Sequence, residues 1–225
     1  MSSESLKIEF DLLANATDSI TQAIELLAWK DEPSDARRLK QAVLAVAHGV
    51  ELLLKERLRR VHPVLIWENV DRFPSLSART VTVDTALSRL VRIGGLMSLN
   101  DDSELISSLR DTRNAIEHYS WTTTKAEAER IIGQALGFAL HFANQELGYD
   151  FFGYESRKDD TFSLLLESNP HFSKAFSERY EQRTKENGEP NLLCDYCHTL
   201  AVNLKTGACR LCGHWNELED YDEPF

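Results

Sequence analysis

The chain has 225 residues, 42% of them hydrophobic, and a formal net charge of −11 at pH 7. That length suits one medium domain with a small appendage. So acidic a chain excludes bulk electrostatic binding of nucleic acid, which would have to use a local basic patch, and it suits a partner with a basic surface.

The acidity runs through both parts. Residues 1–150 carry 17 Lys/Arg against 22 Asp/Glu, and residues 151–225 carry 8 against 14. No apolar run approaches the length that crosses a membrane. The opening MSSESLKIEFD lacks the basic start and apolar core of a signal peptide, so the expected location is the cytoplasm.

Helix signals dominate. Leu6, Phe10, Leu13, Thr17, Ile20, Ile24 and Leu27 recur at spacings of three and four, one face of a long helix. Lys30, Asp31, Glu32 and Pro33 break it, and Ser34 is the expected N-cap of the next. That second helix carries Leu39, Val43, Val46, Val50, Leu53 and Leu58 and ends near Val61, since Pro63 disfavours helix in the residue before it. Residues 62–82 read as an irregular connection plugged by Trp67 and Phe73. A short helix covers about 83–93 and stops at Gly94 and Gly95.

Asn100 is the expected cap of a helix running to about Tyr119, with Asp101, Asp102 and Glu104 in its first turn. Thr124 and Glu127 form a capping box that opens a helix to about Leu147. Residues 149–190 read as a linker with aromatics Phe151, Phe152 and Tyr154, then one or two accessory helices interrupted at Pro170. Asn187 to Pro190 marks a boundary. A metal module over 191–216 and an acidic tail over 217–225 follow.

The four cysteines of the chain fall in two pairs, Cys194 with Cys197 and Cys209 with Cys212. Two C-x-x-C loops joined by a short hairpin are what a tetrahedral Zn²⁺ needs. The last 35 residues are too few to bury a core without such a staple. Thr206 and Gly207 suit a hairpin tip between strands over 199–203 and 208–210, and Gly213 suits a tight turn after the second pair. Four thiolates close the coordination shell, so the expected Zn²⁺ is structural and not catalytic. Cys194 to His198 also fits the c-type haem pattern, but that needs export and leaves the second pair idle. A thiol redox pair would sit in a βαβ context, which is absent. His198 or His214 could replace a thiolate, though four cysteines suffice.

The second informative stretch runs from Leu109 to Tyr119. At 100° per residue, Leu105, Leu109, Thr112 and Ile116 share one face, expected to meet the core. Arg110, Arg113, Asn114, Glu117 and His118 share the opposite arc. Histidine can take and give a proton near neutral pH, and a guanidinium can hold charge growing on a phosphoryl group. That pair suits metal-free cleavage of RNA by its own 2′-hydroxyl. From spacing alone, a solvated helix face with an Arg113–Glu117 ion pair is the plainer reading.

The string Arg113-Asn114-Ala115-Ile116-Glu117-His118 resembles the R-x4-H signature of HEPN-domain ribonucleases, and Ala47 to Leu58 resembles the second helix of that domain. Val64 to Asp71 is similar to small bacterial HEPN-like proteins that often end in a zinc ribbon. The resemblance covers residues 1–148. It implies an all-α antiparallel helical bundle that pairs about a two-fold axis, so that both protomers line one cleft. It implies a metal-independent endoribonuclease of prokaryotic defence or toxin–antitoxin growth control, with RNA as substrate and a neutralising or activating protein partner. Arg113 and His118 would be catalytic with Asn114 in support; Arg110, Glu117 and Tyr119 would stand nearby, and Glu51 and Lys55 of the second helix would lie near the cleft or, equally, form a buried ion pair or surface charge. Arg57, Arg59 and Arg60 are the best local basic patch for steering RNA, and are equally an ordinary cluster of charge at a helix C-terminus. Toxin members often carry a tyrosine two positions after the histidine; here Ser120 stands there and Tyr119 adjoins the histidine. Some members keep the fold without the chemistry, which leaves a non-catalytic adaptor or sensor as the alternative.

Overall fold

The computed structural model describes residues 9–28, 35–75, 77–149, 151, 161–186, 191–204, 206–209, 212 and 214–218. Several expectations lie outside these residues: Leu6, the break at 30–33, Phe152 and Tyr154, the boundary at 187–190, Arg210 and Gly213 of the metal module, and the tail from 219 onward. Among the described residues the chain is mostly helical, with seven α-helices and one small two-stranded sheet. None of those helices is long and apolar enough to cross a membrane.

Helix α1 spans Leu12–Leu27. It begins later than its apolar spacing suggests, because the Asp11 carboxylate caps it by accepting from Ala14 N at 2.8 Å. Phe10 precedes the helix and is exposed. Helix α2 spans Ala36–Val61, and its cap is Asp35 rather than the expected Ser34, accepting from Arg38 N at 2.7 Å. Its expected apolar face is buried throughout, from Leu39 to Leu58. Gly49 lies so close to α1 that a Cβ there would sit 2.6 Å from Ile20 Cδ1.

The connection to α3 (Val83–Arg92) contains two short 3-10 turns and holds Trp67 edge-on to Phe73 at 5.0 Å between ring centres. Arg89 of α3 fixes this loop, its guanidinium donating to the carbonyls of Leu65 and Trp67 at 2.6 Å and of Glu68 at 3.1 Å.

Helix α4 is Ser103–His118. Asn100 does not cap it. Residues 97–100 form a 3-10 turn instead, and the Asn100 carbonyl accepts from Ser103 Oγ at 2.7 Å. Asp102 takes the N-cap position without a side-chain cap bond, its carboxylate being paired with Arg179. Helix α5, Lys125–Leu147, has the expected cap: Thr124 Oγ1 accepts from Glu127 N at 3.2 Å. It ends at Gly148 in a left-handed conformation, φ 65°.

Helices α6 (Thr161–Ser168) and α7 (Pro170–Glu186) are separated at Asn169 and Pro170. Asn169 is 3% exposed; its Oδ1 accepts from Phe172 N and its Nδ2 donates to Glu129 O. These helices are part of the bundle core and more than accessory, since Leu165 and Phe172 are fully buried in the same apolar cluster as α2 and α5. Gly133 and Gly137 of α5 let α7 approach closely: a Cβ at Gly133 would stand 2.6 Å from Phe172 N, and one at Gly137 3.0 Å from Ala175 Cβ. Position 133 meets 172 and position 137 meets 175, so α5 and α7 run side by side in one direction. At the far end α2 and α5 finish together, where Arg60 Nη1 donates to Leu147 O at 2.7 Å.

Strands β1 (Asn191–Leu193) and β2 (Leu200–Asn203) pair antiparallel. The expected hairpin tip at Thr206 and Gly207 is present, with Gly207 at φ 70° and Asn203 N donating to Ala208 O at 3.0 Å. The module rests on the bundle: Ser177 and Thr199 hydroxyls lie 3.1 Å apart, and Tyr196 OH donates to Glu167 Oε1 at 3.0 Å.

Candidate functional site

Two constellations carry chemistry. The first is the cysteine cluster. The four Sγ atoms all lie within 4.8 Å of one another, with Cys194 and Cys212 3.6 Å apart and Cys197 and Cys209 3.7 Å apart. These separations are far longer than a disulfide, and all four thiols are free. A Zn–S bond of about 2.3 Å in a tetrahedron puts sulfurs about 3.8 Å apart, so the cluster fits a metal ion such as zinc.

Local structure makes this cluster. His198 takes φ 53°, which turns the chain after the first pair, and its N–H donates to Cys194 O at 2.9 Å. Cys212 N approaches Cys209 Sγ at 3.5 Å, the backbone donor that a thiolate accepts. Asn216, 4% exposed, joins the two loops by accepting from Asp195 N at 2.8 Å and donating to the carbonyls of His214 and Gly207. Sequence reading did not single out Asn216, because a lone Asn carries no spacing signal. Four thiolates this close together would repel one another. Hydrogen bonds from Cys209 and Cys212 pull the Cys197 thiol far down, and the same bonds push Cys209 and Cys212 up. A divalent cation at the centre removes that conflict by balancing the thiolate charge.

The second constellation is the C-terminal half of α4. Its buried residues are Ile106 and Leu109; Leu105, Thr112 and Ile116 are only half-buried. The inward face is thus turned by about one residue from the face that spacing suggests. Arg110 and Arg113 therefore stand at the edge of the core instead of opposite it. Together with Ala47, Val50, Glu51 and Val83 they line a narrow cleft between α2, α3 and α4.

Arg113 is paired twice. Its Nη1 lies 3.4 Å from Glu51 Oε2 on α2, and its Nε lies 3.0 Å from Glu117 Oε2 on its own helix. The i,i+4 pair of the plainer reading is thus present. Glu51 is itself held by Lys55 Nζ at 2.6 Å, and Lys55, buried, donates to Thr80 Oγ1 at 2.9 Å. Glu117 Oε2 is also 4.0 Å from His118 Nε2. A chain of polar groups therefore runs Lys55, Glu51, Arg113, Glu117, His118, from the interior to the surface. His118 is two-thirds exposed, Asn114 is half-buried and Tyr119 is 85% exposed.

Arg110 is brought near this group but is occupied elsewhere, pairing with Asp111 on α4 and with Asp84 on α3. Those carboxylates hold its guanidinium above its ordinary value, the Asp111 hydrogen bond first. Asp84 is 26 residues away and nothing local signals it.

Arg57, Arg59 and Arg60 are not brought to this site. Arg57 Nε donates to Glu146 Oε2 at 3.0 Å, Arg59 grips Glu56 with two bonds of 2.7 and 2.9 Å, and Arg60 Nε reaches Glu56 Oε1 at 2.9 Å. Arg57 and Arg60 thereby fasten α2 to α5, while Arg59 pairs within its own helix. Glu56 was legible as an i,i+3 and i,i+4 partner of Arg59 and Arg60; Glu146, 89 residues from Arg57, was not.

No family model, curated protein or solved structure matches the chain.

Proposed function

We propose that the protein is a metal-independent endoribonuclease of the HEPN type, acting in prokaryotic defence or toxin–antitoxin growth control. The observation that carries this is the grouping of Arg113, Glu117 and His118 at the open end of α4, backed by Glu51 and Lys55 of α2. It sits on the motif that resembles the R-x4-H signature. In this reading the RNA 2′-oxygen attacks the adjacent phosphorus and the bond to the 5′-oxygen breaks. His118 takes the hydroxyl proton or protonates the leaving oxygen, and Arg113 holds the phosphoryl oxygens as charge grows on them. Two protomers would set their sites about one cleft, with a protein partner to neutralise or activate them. Zn²⁺ on Cys194, Cys197, Cys209 and Cys212 would hold the C-terminal module in shape and take no part in cleavage, since four thiolates leave no open position.

The test is cleavage of total cellular RNA in EDTA by the purified protein and by His118→Ala, with folding followed by circular dichroism. Cleavage by the wild type alone, leaving 2′,3′-cyclic phosphate ends, is expected. Equal cleavage by folded His118→Ala would overturn the assignment of His118.

The pairing of Arg57, Arg59, Arg60, Arg110 and Arg113 with carboxylates favours a second reading, a non-catalytic adaptor or sensor. Absence of cleavage by the folded wild type would support it.

A further inference from the structure

Arg113 is held by two carboxylates that differ in how firmly they are fixed. Glu51 is anchored from behind by buried Lys55 at 2.6 Å, and its side chain is 19% exposed. Glu117 is 34% exposed and meets Arg113 as an i,i+4 pair on one helix, a kind of contact worth little beside water. Around the guanidinium, α2 contributes Glu51 and Lys55, α4 contributes Glu117 and His118, and Arg110 is already paired with Asp84 and Asp111. With His118 uncharged, Lys55 and Arg113 only balance Glu51 and Glu117. The C-terminal end of a helix adds partial negative charge at the same place. A phosphodiester therefore meets no net positive charge here until one carboxylate leaves.

We propose that Glu117 is an exchangeable counter-ion that occupies the phosphate seat of Arg113, and that a phosphodiester binds by displacing it. Glu51 stays and keeps Arg113 aimed from α2. Glu117 lies 3.0 Å from Arg113 Nε and 4.0 Å from His118 Nε2, so its departure frees the Arg113 donor and removes the carboxylate beside His118. This rests on the ribonuclease reading for its ligand. It concerns binding alone, so it can fail while cleavage is found, or hold while cleavage is absent.

The test is fluorescence anisotropy with a labelled single-stranded oligouridylate at low ionic strength. Four proteins are compared: wild type, Glu117→Gln, Glu117→Gln combined with Arg113→Ala, and Glu104→Gln. Glu104 is an exposed acid at the other end of α4 and controls for the general loss of one negative charge. Glu117→Gln should bind at least about fivefold more tightly than wild type. The gain should vanish when Arg113 is also removed, the signature of coupling between the two residues. Glu104→Gln should stay within about twofold of wild type. The proposal is overturned if Glu117→Gln binds no tighter, if Glu104→Gln gains as much, or if the gain survives without Arg113. Melting curves confirm that each variant is folded; Glu117 and Glu104 are exposed enough that both should be.

Discussion

Arg113 Nη1 on α4 stands 3.4 Å from Glu51 Oε2 on α2, across 62 residues of sequence. This contact makes the arginine of the R-x4-H string a member of the helix interface as well as of the surface. It separates the roles of Arg113 and His118, since among the described residues His118 has only the 4.0 Å approach to Glu117 to hold it.

Arg113→Ala should therefore lower stability by about 1 kcal/mol, because Glu51 keeps Lys55 but loses its second cation. His118→Ala should stay within about 0.5 kcal/mol of wild type, as an exposed side chain does. Urea unfolding of both variants checks this. Equal losses would mean that the Arg113–Glu51 contact contributes nothing.

Glu56 should make folding sensitive to acid. Its side chain is 1% exposed. Burial pushes its carboxyl up, but hydrogen bonds and charge from Arg59 and Arg60 outweigh burial and hold it below its ordinary value of 4.5. A lowered folded-state value means the unfolded chain binds the proton more readily. The stabilisation is thus full above about pH 4.5 and is lost as pH falls through the folded-state value. Glu56→Gln should cost about 2 kcal/mol at pH 7, less than a fully buried pair because both arginines remain partly hydrated. The cost should shrink at low pH. A pH-independent difference between Glu56→Gln and wild type would contradict this account.

Gly133→Ala should lower stability by about 2 kcal/mol, since the new methyl would meet Phe172 N and Asn169 Oδ1, each at 2.6 Å. Backbone cannot yield as a side-chain tip can. An unchanged denaturation midpoint would show that α5 and α7 are not packed this closely.

The cysteine cluster should bind one divalent metal ion per chain, read by elemental analysis of the purified protein. Cys197→Ser or Cys212→Ser should abolish tight retention while most helical circular dichroism persists, because α1 to α7 keep their own core. Binding should weaken as pH falls, since protons compete for the thiolates. A wild type that retains no metal after growth in zinc-supplemented medium would sink the assignment.

The sequence by itself determined what is local. Two cysteine pairs, the Thr124 cap, the end of α5 near Leu147, the break at Pro170 and the Thr206–Gly207 tip each act over a few residues, through hydrogen bonds and allowed backbone angles. The apolar spacing of α2 likewise marked its buried face, because that helix is covered along most of its length. The α4 face was only approximate, because Leu105 and Ile116 compete with Ile106 for the core and only packing against α2 and α3 decides between them. The distant partners of Arg57, Arg110 and Arg113, namely Glu146, Asp84 and Glu51, were not legible at all. They lie 89, 26 and 62 residues away, and no periodicity links them. The tertiary structure alone decided that α7 completes the bundle, through close approach at Gly133 and Gly137. It also decided that Arg57 and Arg60, near the C-terminus of α2, fasten that helix to α5 through Glu146 and the Leu147 carbonyl.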